Sequence, residues 1–147
     1  MEKVLKINVI GTLNVSKYGA KCMSGQEEVN GERGVIINVA SVAGFEGQKG
    51  QVVYSASKGA LIGMTMPMAR DLGKYKIRVM TIAPGIFETP MGSGISKAYL
   101  ETMIKNTPLG KLGSPSEFAL AVEGIVKNPY ATGDTWRLDG GIRLPYM

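Results

Sequence analysis

Short apolar runs divide the chain and predict three strands. The runs at Val35–Ala40 and Ile77–Ala83 are almost wholly apolar, and a shorter strand is predicted at Thr135–Leu138. Continuous apolar runs of this length are typical of strands that are buried on both faces of a parallel sheet. We therefore expect the first two strands to lie inside a sheet that helices cover on both sides.

Four helices are predicted around these strands. Val4, Ile7, Gly11 and Val15 lie at helical spacing, which predicts a first helix that continues to about Met23. The other three are predicted at Tyr54–Lys74, Ser96–Asn106 and Ser114–Lys127.

Prolines and capping residues mark individual helices. Pro67 lies inside the second helix, where it should remove one backbone hydrogen bond or kink the helix. Ser114, Pro115 and Glu117 combine an N-cap serine, a first-turn proline and a capping-box glutamate. They predict a well-defined start for the last helix.

The resulting order, α-β-α-β-α-α-β, predicts an α/β fold with a doubly wound parallel sheet of the Rossmann-like type. Three strands make a narrow sheet, and the chain begins on a helix. A phosphate-binding GxGxxG motif after a first strand is absent from the sequence. These features indicate part of such a fold rather than the whole.

The composition excludes several kinds of catalytic site. The chain has 147 residues, no histidine and one cysteine, Cys22. A Ser-His-Asp or Cys-His triad and a histidine-ligated metal are therefore impossible, as is an internal disulfide, and we expect no metal site. Any catalysis must rely on tyrosine, lysine, carboxylates or a cofactor.

The charge pattern favours small anionic ligands. Lysine and arginine number 17 against 12 acidic residues, which gives a net charge of +5, but the basic residues are scattered. Direct binding of nucleic acid is not expected from this pattern, whereas nucleotide phosphates or CoA would be favoured. No apolar run reaches the roughly 20 residues that span a bilayer, so no membrane partner is expected.

Tyr54 and Lys58 form the strongest candidate for chemistry. Residues four apart share one face of a helix, so the phenol and the ammonium should be neighbours. A free tyrosine loses its proton only near pH 10, and a nearby cation favours the phenolate. The pair could thus transfer protons at neutral pH without histidine.

Two further segments should meet this pair at one edge of the sheet. Ser41 follows the first strand, and the loop 84–89 follows the second. Ligands of parallel α/β sheets bind beyond the carboxyl ends of the strands. The Ser41 hydroxyl would there be able to donate a hydrogen bond to a substrate oxygen.

These segments resemble the motifs of the short-chain dehydrogenase/reductase family, in the family's order. The resemblance rests on residues 38–41 (NVAS), 54–58 (YSASK), 84–89 (PGIFET) and 138–141 (LDGG). Residues 33–38, 41–43, 45–48, 69–72, 78–85 and 137–143 are similar in particular to the family's 3-hydroxyacyl-CoA dehydrogenases.

The resemblance implies a role for six residues. Tyr54 would be the general acid/base, Lys58 its partner and a ligand of the nicotinamide ribose, and Ser41 would bind and orient the reacting substrate oxygen. Asn8 matches the helix asparagine that holds a proton-relay water; outside this combination of motifs, an asparagine there would more often cap its helix or pack within it. Phe87 and Thr89 match positions that contact the nicotinamide end of NAD.

The resemblance also implies an activity and partners. It implies hydride transfer between NAD and the alcohol of a 3-hydroxyacyl-CoA or a hydroxysteroid, in fatty acid and isoleucine degradation. A homotetramer in the mitochondrial matrix, and partners in a tRNA-processing complex, are implied in the same way.

The sequence departs from the family pattern in one respect. The first βαβαβ half, which carries the glycine-rich turn and the ribose-binding acidic residue, is missing from these 147 residues. The resemblance therefore implies that residues 1–147 form the C-terminal, catalytic part of a single domain. In this family, residues of the missing half normally determine whether the enzyme prefers NAD or NADP. The alternative expectation is therefore a catalytically incomplete fragment or a non-catalytic scaffold subunit.

Overall fold

A computed structural model describes residues 1–89, 94 and 96–144. It contains five α-helices within that part of the chain: α1 (Glu2–Leu5), α2 (Thr12–Ser24), α3 (Val52–Gly73), α4 (Lys97–Lys105) and α5 (Pro115–Lys127). A π-helical segment, Lys6–Gly11, joins α1 to α2, and a 3-10 turn spans Val42–Gly44. The strands are β1 (Gly34–Val39), β2 (Ile77–Pro84) and β3 (Thr135–Leu138).

The three strands form one parallel sheet in the order β1-β2-β3. Its register pairs Ile36 with Val79 and Ile82 with Trp136. The strand bounds agree with the sequence prediction to within a residue or two. The α/β fold with a parallel sheet is thereby confirmed.

Alternate side chains of β2 face helices on opposite sides of the sheet. Met80 and Ile82 pack against Ile125 of α5, whereas Ala83 packs against Leu61 of α3. Every one of these side chains is at most 2% exposed. This alternation confirms the doubly wound arrangement, with α3 on one face of the central strand and α5 on the other.

The prediction that β1 is buried on both faces is wrong. Most of its residues are only partly buried, and Val39 is 45% exposed. In the described part of the chain β1 pairs with β2 alone, so its other side is an open edge. Apolar composition does not distinguish an edge strand from a central one, because both carry the same β-branched residues.

The first helix is less regular than its periodicity predicts. Residues 6–11 are π-helical, and half of the predicted apolar face is exposed, with Ile7 at 59% and Val15 at 73%, while Val4 and Gly11 are partly buried. The buried positions of α2 are Ser16 and Ala20. Small side chains allow α2 to lie close to β1, which it contacts, so the apolar periodicity marks the wrong face.

Helix α3 continues through Pro67. The proline is exposed, while Leu61, Thr65 and Ala69 form the buried face of the helix. Packing along that face offsets the backbone hydrogen bond that proline cannot donate. No break occurs at the position where the sequence suggested one.

The starts of the last two helices agree with the sequence. Ser114 and Glu117 form the expected capping box at α5, and Ser96 caps α4 by accepting a hydrogen bond from the Tyr99 amide. None of the helices in the described residues is both long and apolar enough to cross a membrane.

Candidate active site

A cavity of about 540 Å³ opens at the carboxyl ends of β1 and β2. Residues that follow each of these two strands line it, as expected for a parallel sheet. Its polar and aromatic lining includes Ser41, Gln48, Gln51, Tyr54, Phe87, Thr89 and Tyr99. Four of the six predicted site residues therefore line one cavity; the other two, Lys58 and Asn8, lie nearby.

Ser41 is placed by the turn that follows β1. Its backbone is extended, with φ −167° and ψ 154°, and it caps the 3-10 turn by accepting a hydrogen bond from the Ala43 amide at 3.1 Å. That contact uses a lone pair of Oγ and leaves the hydroxyl hydrogen free. Ser41 can therefore still donate a hydrogen bond into the cavity.

Tyr54 and Lys58 lie one turn apart near the start of α3, as predicted. The Lys58 ammonium nitrogen is 5.8 Å from the centre of the Tyr54 ring, and Tyr54 as a residue is 39% exposed. Lys58 Nζ also donates to the carbonyl of Val39, at the end of β1, at 3.0 Å. Burial lowers the pKa of Lys58 from its usual value. The hydrogen bond to Val39 fixes the cation between strand and helix.

Asn8 lies behind the cavity rather than in its lining. Its Nδ2 donates to Ser57 Oγ at 3.1 Å, and the Ser57 hydroxyl donates to the carbonyl of Tyr54 at 2.7 Å. Ser57 is completely buried. Asn8 is thus connected to the backbone of the turn that carries Tyr54 and Lys58.

Asn8 lies inside the π-helical segment Lys6–Gly11. The Asn8 carbonyl accepts a hydrogen bond from the Thr12 hydroxyl at 2.8 Å. Single π-helical turns of this kind are frequent at functional sites. The periodicity of the sequence contains no signal for this irregular turn.

Phe87 and Thr89 come from the loop after β2, as predicted. The Phe87 ring packs edge-on against Phe118 of α5, with centroids 5.7 Å apart, and its backbone forms a bridge with Gly113. Thr89 is exposed at the cavity. The loop therefore presents one fixed aromatic ring and one accessible hydroxyl.

The cavity is also lined by residues outside the six predicted site residues, among them Gln48, Tyr99 and Leu144. Gln48 and Tyr99 are joined by a hydrogen bond from the tyrosine hydroxyl to Gln48 Oε1 at 2.9 Å, and Leu144 comes from the C-terminal segment. They are far apart in sequence, and only the tertiary structure brings them together. The glycine-rich, polar context of Gln48 indicates a loop but not the direction of its side chain.

An ion-pair network fixes Leu144 at the cavity. Glu46 accepts hydrogen bonds from Arg137 at 2.6 Å and from the Leu144 amide at 2.8 Å. The Arg137 hydrogen bond is the main reason that the pKa of Glu46 is lowered, and burial opposes it. Arg137 also pairs with Asp139 and lies over the Phe45 ring, at 5.3 Å from its centre. The network connects the turn after Ser41 to the C-terminal segment.

Comparison with known proteins agrees with this geometry. A family model described as short chain dehydrogenase matches residues 1–100. The chain is 48% identical over 145 residues to 3-hydroxyacyl-CoA dehydrogenase type-2 of Homo sapiens and 46% identical to that of Drosophila melanogaster; both matches cover 97% of this chain.

Solved structures show the same fold. A 3-hydroxyacyl-CoA dehydrogenase type-2 from Mycobacterium avium superposes with a TM-score of 0.93 at 40% identity, over 98% of this chain and 57% of that one. A 4-hydroxyisoleucine dehydrogenase mutant complexed with NADH and succinate superposes with a TM-score of 0.83 at 32% identity, over 95% of this chain and 58% of its own.

The matches cover almost all of this chain but only part of each relative. The match to the human protein covers 56% of that protein's length, and the match to the Drosophila protein covers 57%. The chain thus spans a little over half the length of the curated relatives that it matches. The family model, the relatives and the motifs agree: the chain belongs to the short chain dehydrogenase family.

Proposed function

We propose that this chain carries the catalytic residues of an NAD-dependent dehydrogenase that oxidises the alcohol of 3-hydroxyacyl-CoA substrates, with hydroxysteroids as the other substrate class. The observation that carries the proposal is that Ser41 and Tyr54 line one cavity while the Lys58 ammonium lies 5.8 Å from the phenol ring. A hydrogen-bond donor, an acid/base and a cation are the groups that such a reaction requires.

The proposed roles follow from the contacts of each side chain. Ser41 donates its free hydroxyl hydrogen to the substrate oxygen and so orients the alcohol. Tyr54 takes the proton from that oxygen during oxidation and returns it during reduction. Lys58 places its positive charge beside the phenol, 5.8 Å from the ring centre, and its hydrogen bond to Val39 keeps it in place.

The residues at the cavity fit the nicotinamide end of NAD, which supplies the hydride acceptor when bound. An ammonium has three donors, and Lys58 uses one of them on Val39, so two are available for ribose hydroxyls. Phe87 and Thr89 are the proposed contacts of the nicotinamide end. The net charge of +5 also favours a ligand that carries phosphates.

Asn8 is proposed to hold a proton-relay water beside Lys58. Its amide donates to Ser57, which immediately precedes Lys58, and this contact supports a location next to the lysine. The water would form part of a path that carries protons between solvent and the helix turn that holds Tyr54 and Lys58.

A second candidate function has its own supporting observation. The chain spans a little over half the length of its curated relatives, and β1 has an open edge in the described residues. On this alternative the 147 residues do not turn over substrate alone and act as a fragment or a scaffold subunit, as in a tRNA-processing complex. Titration of the chain with NAD by calorimetry separates the two, since no binding would favour the scaffold.

The finer assignments rest on resemblance to the relatives. We propose a homotetramer, a location in the mitochondrial matrix and a place in fatty acid and isoleucine degradation. The family membership and the names of the curated relatives support these proposals.

Turnover by a tyrosine variant tests the proposed activity. Wild-type chain should form NADH from NAD and 3-hydroxybutyryl-CoA, and Tyr54→Phe should lose this activity while keeping its fold, because the ring lacks the transferable proton. Tyr130→Phe, at a tyrosine that is 95% exposed, is the matched control and should retain full turnover. Turnover by Tyr54→Phe at the wild-type rate would refute the role of the phenol.

A further inference from the structure

Gln48 lines the proposed active site and carries a buried hydrogen-bond donor that has no partner in the described part of the chain. Its Nε2 is buried and has no hydrogen-bond acceptor among the residues that the structure describes. The other end of the same amide is occupied, since Oε1 accepts the hydroxyl hydrogen of Tyr99 at 2.9 Å. A buried donor without a partner is costly, so the unoccupied N–H marks a position where an acceptor is expected.

The hydrogen bond to Tyr99 determines which end of the amide is available. Tyr99 lies in the first turn of α4, where its backbone amide bonds to Ser96, so the phenol approaches Gln48 from a helix. Because the phenol hydrogen is donated to Oε1, the amide offers a donor and not an acceptor to its surroundings. The complementary ligand group is an oxygen that accepts a hydrogen bond.

Gln48 lines the same cavity as Ser41 and Tyr54. The reacting oxygen of the substrate is assigned to those two residues in the proposed function, on which this inference rests. A 3-hydroxyacyl thioester carries a second oxygen, the thioester carbonyl, two carbons from the reacting carbon. A substrate alcohol without that carbonyl would leave the Gln48 donor unpaired.

We propose that Gln48 is a specificity-determining residue whose Nε2 donates a hydrogen bond to the thioester carbonyl of the substrate. Tyr99 is its positioning residue, because the phenol holds the amide in the orientation that makes the donor available. The pair thereby selects acyl thioesters oxygenated at carbon 3 over alcohols that lack a neighbouring carbonyl. Sites built to hydrogen-bond a substrate group discriminate strongly against analogues that lack it.

Two CoA ligands that differ in one group test this assignment by calorimetry. Acetoacetyl-CoA has the thioester carbonyl, whereas S-(3-oxobutyl)-CoA keeps the ketone and replaces that carbonyl with a methylene. The wild-type chain should bind acetoacetyl-CoA about tenfold more tightly than S-(3-oxobutyl)-CoA, because one well-placed hydrogen bond has an effect of this size. Gln48→Met, which has similar length and no donor, should bring the ratio of the two dissociation constants close to one.

Two other variants sharpen the test. Tyr99→Phe should lower the ratio in part, because the amide keeps its donor but loses the partner that orients it. Gln26→Met, at an exposed glutamine in the loop after α2, is the matched control and should keep the wild-type ratio. A wild-type ratio near one, an undiminished ratio in Gln48→Met, or no binding of acetoacetyl-CoA to the wild type would overturn the assignment.

Failure of the Gln48 assignment can be distinguished from failure of the dehydrogenase proposal. If Gln48→Met abolishes the ligand preference but the wild-type chain forms no NADH, the dehydrogenase proposal fails and the Gln48 assignment stands. If NADH forms while the preference is independent of Gln48, the reverse holds.

Discussion

A buried pair of threonines joins the helix that carries Tyr54 and Lys58 to the central strand. Thr65 of α3 and Thr81 of β2 are at most 1% exposed, and their hydroxyl oxygens are 2.6 Å apart. The Thr65 hydroxyl also donates to the carbonyl of Leu61 at 2.8 Å. Because a hydroxyl has one hydrogen, Thr81 must be the donor in the bond between the two side chains.

This asymmetry predicts unequal costs for two similar substitutions. Thr65→Val removes the acceptor of the Thr81 hydroxyl and leaves that donor buried without a partner, which should lower the free energy of unfolding by about 1–3 kcal/mol. Thr81→Val leaves Thr65 bonded to Leu61, so its cost should be only about 0.5–1.5 kcal/mol. In the double variant no stranded donor remains, and its cost should not exceed that of Thr65→Val alone.

Urea unfolding of the three variants and the wild type, followed by circular dichroism, measures these differences. Thr102→Val, at an exposed threonine of α4, is the control and should change the free energy of unfolding by less than about 0.5 kcal/mol. Two results would refute the reasoning: a Thr81→Val cost larger than that of Thr65→Val, or a double variant whose cost equals the sum of the two.

Two further predictions concern a carboxylate and a glycine. Lys111 and the Ser114 amide lower the pKa of Glu117 to about 2 from 4.5, so Glu117 should stabilise the fold above about pH 4.5 and lose that effect as the pH falls towards 2. The difference in stability between wild type and Glu117→Gln should therefore shrink over that interval in pH-dependent thermal unfolding, and added salt should weaken it because the pair is exposed; a difference that is constant with pH would contradict the assignment. Gly85→Ala would place a Cβ 2.9 Å from Asp139 Cβ and 3.0 Å from its Cα, which should lower the free energy of unfolding by about 1–3 kcal/mol. The control Gly63→Ala, in α3 with nothing within 4 Å, should raise it by about 0.5–1 kcal/mol, and equal effects of the two substitutions in urea unfolding would exclude the clash.

Local signals were sufficient for the elements whose ends carry their own chemistry. Ser114 and Glu117 determine the start of α5 by hydrogen bonds within one turn, and Thr135–Leu138 is a short strand between turns. The Tyr54–Lys58 spacing is likewise a property of one helix. The sequence therefore predicted these features and their bounds well.

Features that depend on distant packing were not predictable in the same way. The exposure of Val39 depends on which strands flank β1, and the buried face of α2 depends on small residues, Ser16 and Ala20, whose burial brings helix and sheet together. Gln48 and Tyr99 are 51 residues apart, and their hydrogen bond exists only in the folded chain. Periodicity reports which residues are apolar but not which surfaces meet.

Isotope transfer tests the proposed dehydrogenase activity most directly. The chain is incubated with NAD and 3-hydroxybutyryl-CoA that carries deuterium on carbon 3, and the NADH is analysed by mass spectrometry. We predict deuterated NADH with the wild type and with Tyr130→Phe, and none with Tyr54→Phe. Unlabelled NADH from the wild type, or deuterated NADH from Tyr54→Phe at the wild-type rate, would contradict hydride transfer assisted by this tyrosine.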